Sequence, residues 1–306
     1  MPARQRVPPL SSTQHGGGGA PDPQSLLTLL SAGDLEVTGR VLGASNTTLL
    51  ARVTSGERSL ACVYKPVAGE APLWDFPDGT LAGREVAAAL VSEAAGWGVV
   101  PPTVLREGEF GLGSVQAWVG PSPDDGPYVD PPGSRRRGGA GRGLGEPGAG
   151  VIDVVAPSRV PDGWLTVVQG EGYRGEAVSL VHADDPGLVR MAAFDAVANN
   201  ADRKGGHVLR GLDDHVYGVD HGLTFHDEPK LRTVLWGFAG RPFDDEVVVL
   251  LERTAAALDG DLADVLSTLL TDDELLAAQL RVERLLERRR FPKPPPGGRA
   301  LPWPPF

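Results

Sequence analysis

A long glycine- and proline-rich interruption divides this chain into two unlike parts. Residues 120–163 contain the run PSPDDGPYVDPPGSRRRGGAGRGLGEPGAG, which has too few apolar side chains to bury a core. The chain has 41 glycines and 28 prolines among 306 residues, well above ordinary usage, and this segment concentrates both. We therefore predict a flexible insertion at 120–163 between two folded parts.

The part before the insertion has the pattern of a small, mostly β lobe with one long helix. Residues 1–23 are rich in glycine and proline and are predicted to be disordered, so the N-lobe is assigned to 24–119. After a short helix, three segments rich in β-branched residues lie between 35 and 65. Good helix formers fill 79–97, and two further strands complete the lobe. The predicted order of the strands and the long helix is β-β-β-α-β-β.

The part after the insertion, residues 164–290, is predicted to be mainly helical around one short hairpin. Residues 188–200 have apolar side chains at helical spacing and end in two asparagines. The runs VLRG and VYGVD form a predicted hairpin, and three helices follow between 246 and 290. The Pro-rich tail 291–306 cannot continue the last helix, so we expect it to be disordered or to serve as an extended docking peptide for a protein partner.

Composition limits the expected cellular location and the expected binding partners of the protein. The single cysteine, Cys62, cannot form an intrachain disulfide and is expected to be a buried thiol. No signal peptide is evident, and no apolar run approaches the ~18 residues of a membrane span, so we expect a cytoplasmic protein without integral membrane association. A formal net charge of -11 argues against general nucleic-acid binding, because backbone phosphates would be repelled.

Two turns in the second part, each with one aspartate, give the strongest chemical signal. DRKGGH at 202–207 and VDHG at 219–222 flank the predicted hairpin, so Asp202 and Asp220 are expected to face one cleft. In kinase-type phosphoryl transfer, one such carboxylate orients the attacking hydroxyl or accepts its proton, and another holds the metal that bridges the phosphates. Either aspartate taken alone is better explained as a turn residue that accepts backbone hydrogen bonds.

The first part supplies complementary groups. Lys65 ends the predicted strand LACVYK, from which a cation could reach the phosphates of a nucleotide. Glu85 lies early in the following helix, where it could orient this lysine, although Glu70 competes for the role. The small polar turn GASNTT at 43–48 could direct its amides at phosphates, and an ordinary hairpin turn explains it equally well. These groups predict a nucleotide between the two lobes.

A resemblance to a known superfamily rests on these same segments. The run from MAAFDAVANNADRKGGHVL through VYGVDHGLTFH resembles the catalytic and metal-binding segments of the phosphatidylinositol 3- and 4-kinase superfamily, most of all type II phosphatidylinositol 4-kinases and HipA-like bacterial kinases. VYKPVAGEAPLWDFPDGTLAGREVAAAL, with VPPTV and GSVQAWV, is similar to a family of uncharacterised actinobacterial proteins that are phosphatidylinositol kinase-like. The resemblance covers residues 35–119 and 164–245. It implies an α+β, two-lobed, protein-kinase-like fold with a β-rich N-lobe and a helical C-lobe.

The resemblance also implies an activity and the residues that would perform it. The activity is ATP-dependent phosphate transfer to a hydroxyl on a protein, a small molecule or a phosphoinositide, with Mg²⁺ or Mn²⁺. Asp202 would be catalytic, Lys65 would bind phosphate with Glu85 as its partner, and Asp220 would bind the metal. The nucleotide would also contact Ser45 and Asn46 of the phosphate loop and the hinge residues Gln116, Ala117, Trp118 and Val119.

Two other functions stay open. One follows from a departure from the superfamily pattern, and the other follows from a cluster of histidines. The superfamily usually has asparagine as second metal ligand five residues after the catalytic aspartate, where this chain has His207. Imidazole suits transition metals better than Mg²⁺, so a catalytically impaired pseudokinase that binds nucleotide is one alternative. The other is a metal-dependent hydrolase, because four histidines accompany the two aspartates, although no HExxH pattern is present. These histidines are His207, His215, His221 and His226.

Overall fold

The computed structural model describes residues 23–306 except for 42, 43, 45, 78, 121–149, 173 and 298. Within these residues the protein is α+β, with a β-rich sheet region first and most of the helices in the C-terminal part. The expectations for residues 1–22 and for most of the insertion therefore lie outside the described residues. None of the helices in the described ranges combines the length and apolarity needed to cross a membrane.

A five-stranded antiparallel sheet dominates the first part. Its strands are β1 (Asp34–Arg40), β2 (Leu49–Ser55), β3 (Arg58–Pro66), β4 (Thr103–Gly108) and β5 (Gly111–Ala117), arranged in the order β1-β2-β3-β5-β4. Helix α1 (Pro23–Ala32) precedes the sheet, and helix α2 (Leu81–Ala95) lies between β3 and β4 in the chain. The predicted order of strands and long helix is confirmed.

Alternating side chains give this sheet one buried face. Along β2 every second residue is buried, as the period of a half-buried strand requires, and Val53 is fully inside. Leu29 and Leu30 of α1 pack on this face together with Cys62, whose burial was predicted. Burial raises the pKa of the Cys62 thiol to about 12, so this sulfur is a packing group and no nucleophile at neutral pH.

The second part contains a small sheet that the sequence analysis missed. Strands β6 (Ile152–Val155), β7 (Trp164–Glu171) and β8 (Ala177–Ala183) form an antiparallel sheet in the order β6-β8-β7. Strand β6 lies inside the segment 120–163 that was expected to be irregular. Val151 and Ile152 are buried against the main core, which supplies the apolar contact that makes this strand stable despite its glycine-rich surroundings.

The remaining elements follow the predicted pattern. They are α3 (Pro186–Ala198), β9 (Val208–Arg210), β10 (Val216–Gly218), α4 (Asp245–Leu258), α5 (Asp261–Leu266) and α6 (Asp272–Arg288). Strands β9 and β10 form the predicted hairpin. Helix α6 begins with the capping box expected of its sequence, in which Thr271 and Glu274 satisfy each other's backbone amides.

Helix α2 is bound to the C-terminal helices as firmly as to its own sheet. The guanidinium of Arg84, which is 1% exposed, forms an ion pair with Glu274 of α6 and donates to the carbonyl of Thr224 at 2.7 Å. Just beyond the helix, Trp97 Nε1 donates to Thr254 Oγ1 of α4 at 2.8 Å. These buried polar contacts fix the position of α2 relative to the second part of the molecule.

The Pro-rich tail packs on the body of the protein over the residues that the structure describes. Phe291 is buried, and its carbonyl accepts from Gly240 N at 3.1 Å. Further along, Ala300 and Pro305 also accept backbone hydrogen bonds from the second part. The expectation of a disordered tail therefore does not hold for these residues, because their apolar side chains and carbonyls find partners within the chain.

Candidate functional site

Lys65 of β3 joins the two parts of the molecule. Its Nζ lies 2.5 Å from Glu85 Oε1 of α2 and 2.8 Å from Asp220 Oδ1 in the loop after β10. Burial alone would lower the pKa of Lys65, but the charges of Asp220 and Glu85 outweigh it and raise the pKa above the usual lysine value. The ammonium therefore stays charged at neutral pH and holds the two carboxylates together.

Glu85 connects the strand to the loop that carries Asp220. Its side chain is 4% exposed, and its second oxygen, Oε2, accepts from the backbone N–H of His221 at 2.9 Å. Both carboxylate oxygens are thus satisfied by groups outside α2. Because α2 is held by Arg84, the neighbouring Glu85 provides a fixed reference for the lysine and for the loop.

Asp220 adopts an uncommon backbone conformation and pairs with two side chains of the predicted site. Its backbone φ is 62°, in the left-handed region that non-glycine residues rarely adopt, and such outliers cluster at functional sites. Its side chain is 50% exposed, with Oδ1 on Lys65 and Oδ2 3.1 Å from His207 Nε2. The charge of Lys65 lowers the pKa of Asp220 well below the usual aspartate value, and His207 adds to the effect.

His207 precedes β9 and presents a neutral imidazole to Asp220. Burial lowers the pKa of His207 to about 4, and the opposing effect of Asp220 is smaller. Among the described residues its Nδ1 is buried and has no hydrogen-bond partner. A neutral imidazole can donate from one nitrogen and accept at the other, so Nε2 can either donate to Asp220 or, in the other tautomer, bind a cation.

Asp202 occupies the other side of the same site. Its Oδ2 lies 3.2 Å from Lys204 Nζ, and its backbone N–H donates to Asn200 Oδ1 at 2.9 Å. Burial raises the pKa of Asp202, Lys204 partly offsets this effect, and the charge of Asp220 adds to it. A raised carboxylate pKa improves a group that must accept a proton near neutral pH.

A buried network that the sequence analysis missed fixes both aspartate turns. Arg203, with no exposed surface, donates to Asp195 Oδ1 of α3 at 2.9 Å, and the same oxygen accepts from Asn200 Nδ2 at 3.0 Å. Arg203 also donates to the carbonyl of Val219 at 2.9 Å, and its Nη2 lies 2.7 Å from His221 Nε2. The neighbours of Asp202 and Asp220 are thus joined through one guanidinium. The available signal was Asp195, a charged residue inside the otherwise apolar run MAAFDAVA.

These side chains line one cavity of about 250 Å³, which we call the Lys65 cavity. Its lining includes five predicted site residues with ionisable side chains and also Asn46 of the predicted phosphate loop. The five are Lys65, Glu85, Asp202, His207 and Asp220. Ser45 lies outside the described residues. The structure therefore brings together groups that are far apart in sequence and come from both parts of the molecule.

Two neighbouring polar residues shape the wall of the Lys65 cavity. Glu70 does not compete for Lys65, because its carboxylate accepts from Leu81 N at 3.1 Å and from Ala82 N at 2.8 Å at the start of α2. Asn46 Oδ1 accepts from Ala71 N at 2.8 Å, which ties the β1–β2 connection to the same region. Glu70 thus caps the helix that carries Glu85.

The predicted hinge residues lie apart from this cavity. Gln116 Nε2 donates to Thr103 Oγ1 at 2.8 Å, and the amides of Ala117 and Trp118 donate to the carbonyls of Pro102 and Ala61. Neither these three residues nor Val119 lines the Lys65 cavity in the described structure. The hinge assignment therefore stays a prediction that the geometry of the cavity does not address.

Two of the four clustered histidines make their contacts away from Asp220. His215 Nε2 contacts the carbonyl of Gly98, His226 Nε2 contacts the carbonyl of Asp75, and only His207 is paired with Asp220. Over the described ranges, no group of three or more histidine, cysteine, aspartate or glutamate side chains is arranged to hold a metal ion. The two predicted metal ligands, Asp220 and His207, thus form a pair in the described ranges.

The fold and the site define an α+β protein in which a strand lysine links a helix glutamate to a loop aspartate beside a second aspartate turn. The chain is 48% identical over 278 residues to Protein Rv2133c of Mycobacterium tuberculosis (strain ATCC 25618 / H37Rv). The alignment covers 91% of this chain and 94% of that protein. The chain therefore belongs to the same family as Protein Rv2133c. No protein-family profile matches the sequence.

Proposed function

We propose that this protein is an ATP-dependent phosphotransferase with a two-lobed, protein-kinase-like fold, related to the phosphatidylinositol 3- and 4-kinase superfamily. The observation that carries the proposal is the bridge from Lys65 to Glu85 and Asp220. In protein kinases the phosphate-binding lysine lies on the third strand, pairs with a glutamate of the next helix and works with a metal-binding aspartate from a later loop. Lys65 on β3 and Glu85 on α2 have this arrangement.

The proposed reaction assigns Lys65 to the phosphates of ATP. The ammonium would exchange its contact with Asp220 for phosphate oxygens and keep its contact with Glu85, which is almost fully buried. Asp220 and His207 would hold Mg²⁺ or Mn²⁺, which would neutralise charge on the phosphates. Asp220 suits this task because the charge of Lys65 keeps it ionised and its side chain is 50% exposed.

Asp202 would act on the acceptor. Its carboxylate would orient the attacking hydroxyl and take its proton as the new oxygen–phosphorus bond forms and the bond to ADP breaks. The raised pKa of Asp202 supports a role in proton transfer, and Lys204 beside it would stabilise charge on the transferred group. Adenine recognition would fall to Val119 in the predicted hinge, because the amides of Ala117 and Trp118 already donate within the sheet region.

Transfer of label from γ-labelled ATP tests the proposal. Purified wild type, Asp220→Ala and the control Asp162→Ala would be incubated with Mg²⁺ or Mn²⁺, and label would be followed into the protein, added phosphoinositides and water. Asp162 is an exposed aspartate remote in sequence from both aspartate turns. We expect wild type and the control to transfer label and Asp220→Ala to lose at least about 100-fold, as is usual when a transition-state electrostatic partner is removed. Undiminished transfer by Asp220→Ala would contradict the proposal.

His207 supports a second candidate function, a nucleotide-binding pseudokinase. Its Nε2 lies 3.1 Å from the oxygen of Asp220 that faces away from Lys65, and an imidazole is a poor ligand for Mg²⁺. In this case ATP would raise the melting temperature of the wild type while no label is transferred. Label transfer by the wild type that is lost in Asp220→Ala would exclude it.

A further inference from the structure

The last described segment of the chain contacts the turn that carries Asp202. The C-terminal segment, residues 299–306, places the carbonyl of Pro305 2.8 Å from the backbone N of Gly205, which donates to it. The ring of Phe306 lies against Gly205 so closely that a Cβ at this position would overlap the ring. Gly205 belongs to the Asp202 turn, residues 202–207, and is buried. A side chain at this position would have to displace the ring of Phe306, whereas the backbone conformation itself would accept one, because the φ of Gly205 does not lie in the left-handed region.

A second anchor holds the C-terminal segment beside the same turn. The carbonyl of Ala300 accepts from Trp236 Nε1 at 2.7 Å and from Thr233 N at 3.2 Å. The stretch containing Thr233 is itself bonded to the Asp202 turn, since Arg203 N donates to Arg232 O at 3.0 Å. The C-terminal segment therefore contacts both the Asp202 turn and the stretch around Thr233 that is bonded to this turn.

The position of the C-terminal segment relative to the Lys65 cavity determines whether the segment blocks the cavity or supports the Asp202 turn. The Lys65 cavity is lined by the side chains of Asp202, Lys204 and His207, and none of residues 299–306 contributes to its lining in the described structure. The segment thus contacts the turn at Gly205, outside the lining of the Lys65 cavity. A support of this kind is useful because two adjacent glycines, Gly205 and Gly206, would otherwise leave the turn with much conformational freedom.

We infer that Pro305 and Phe306 are positioning residues that hold the Asp202 turn in place for phosphate transfer. The hydrogen bond fixes the middle of the turn, and the ring excludes backbone positions that would displace Asp202. Catalytic side chains must be held to within a fraction of an ångström by contacts behind them, and the C-terminal segment supplies such contacts here. The catalytic consequence rests on the proposed function, whereas the contact itself does not.

Hydrogen exchange of the 306-residue protein tests the contact without reference to activity. Phe306→Ala and Gly205→Ala should each raise the exchange rate of amides in residues 203–208 by about tenfold or more, because a buried amide loses its partner or its cover. The matched control is Gly206→Ala, since a Cβ at Gly206 meets nothing within 4 Å. The double variant Gly205→Ala/Phe306→Ala should exchange no faster than Phe306→Ala alone, because both changes disrupt the same contact. Exchange at the wild-type rate in both single variants would overturn the inference.

Kinetics of label transfer test the positioning role. Phe306→Ala should lower kcat by about tenfold with little change in KM for ATP, while Phe306→Tyr, which keeps the ring, should retain wild-type kcat. Trp303→Ala is the control within the same segment, because that side chain is 81% exposed. An unchanged or increased kcat in Phe306→Ala, together with faster exchange, would overturn positioning. If the wild type transfers no label, the proposed function fails, and exchange still decides whether the contact exists.

Discussion

At the scale of single residues, Lys65 compensates the charge of a buried carboxylate. Two carboxylates converge on one ammonium, and Glu85 is too buried to be solvated if that ammonium is removed. Lys65→Met should therefore destabilise the fold by at least about 1–3 kcal/mol, because the buried Glu85 loses one of its two hydrogen-bond partners. Urea unfolding at pH 7 measures this value. Lys293→Met, at an exposed lysine, is the control, and equal midpoints for the two variants would contradict the expectation.

Asp202 should reduce stability at neutral pH. Its pKa is raised above 3.8, so the folded state binds its proton more tightly than the unfolded state does. Stability from this group is therefore full below pH 3.8 and falls as the pH rises through the folded-state pKa. We expect Asp202→Asn to unfold at a higher urea concentration than wild type at pH 7, with the difference shrinking toward pH 4. A variant less stable than wild type at pH 7 would show that the contact with Lys204 outweighs burial.

We expect the side chain at position 207 to determine which metal supports the proposed reaction better. If the protein transfers phosphate, His207→Asn should increase the rate with Mg²⁺ relative to the rate with Mn²⁺, because an amide oxygen suits Mg²⁺ better than an imidazole nitrogen. The comparison uses label transfer at saturating ATP with each metal. His215→Asn is a suitable control, since His215 contacts Gly98 and lies away from Asp220. A lower ratio in His207→Asn would mean that the imidazole is needed for another reason.

At the scale of elements, the start of α2 determines where Glu85 lies. Glu70 satisfies two amides that the helix leaves unpaired, as a side-chain cap would. Glu70→Ala should cost about 0.5–2 kcal/mol of folding free energy, as the loss of a helix cap does. Chemical denaturation followed by circular dichroism checks this value. Glu93→Ala, an exposed position near the other end of the helix, should cost much less, and a similar loss at both positions would argue against capping.

Elements were predictable where local pattern and burial agree. The alternation in β2 and the capping box at Thr271 identified strands and a helix correctly, because both signals lie within a few residues of sequence. Strand β6 was missed because Ile152 follows a glycine-rich run and gains its stability from distant core residues. The contact of Phe306 with Gly205 was likewise invisible, since proline-rich composition indicates only an extended backbone.

The residues of the candidate site could be predicted from the sequence, but the buried hydrogen bonds and ion pairs that connect them could not. Lys65, Glu85 and Asp220 were found because each follows a recognisable segment, and the structure brings them together. The connection between Asp195 and Arg203 could not be read from spacing, because a buried ion pair depends on how α3 packs beside the turn. The residues of the candidate site were thus easier to predict than the buried groups that orient them.

At the scale of the whole molecule, one buried ion pair couples the sheet region to the C-terminal helices. Arg84 of α2 and Glu274 of α6 are nearly inaccessible, so replacing the arginine leaves a buried charge. We expect Arg84→Met to lower the free energy of unfolding by about 3–5 kcal/mol. The matched variant Arg190→Met, which breaks a surface pair with Glu246 at 3.7 Å, should cost at most about 1 kcal/mol. Calorimetry of both variants makes the comparison, and equal melting temperatures would contradict it.

The adjacent positions of Arg84 and Glu85 have a consequence for how such a protein can be controlled. A helix that swings or rotates can serve as a switch when only its glutamate changes partner. Here a rotation of α2 that carries Glu85 away from Lys65 would also move the adjacent Arg84, whose pair with Glu274 is buried. The free energy needed to break the buried pair of Arg84 and Glu274 opposes such a rotation. We therefore expect α2 to resist rotation of this kind, so that Glu85 keeps its place beside Lys65.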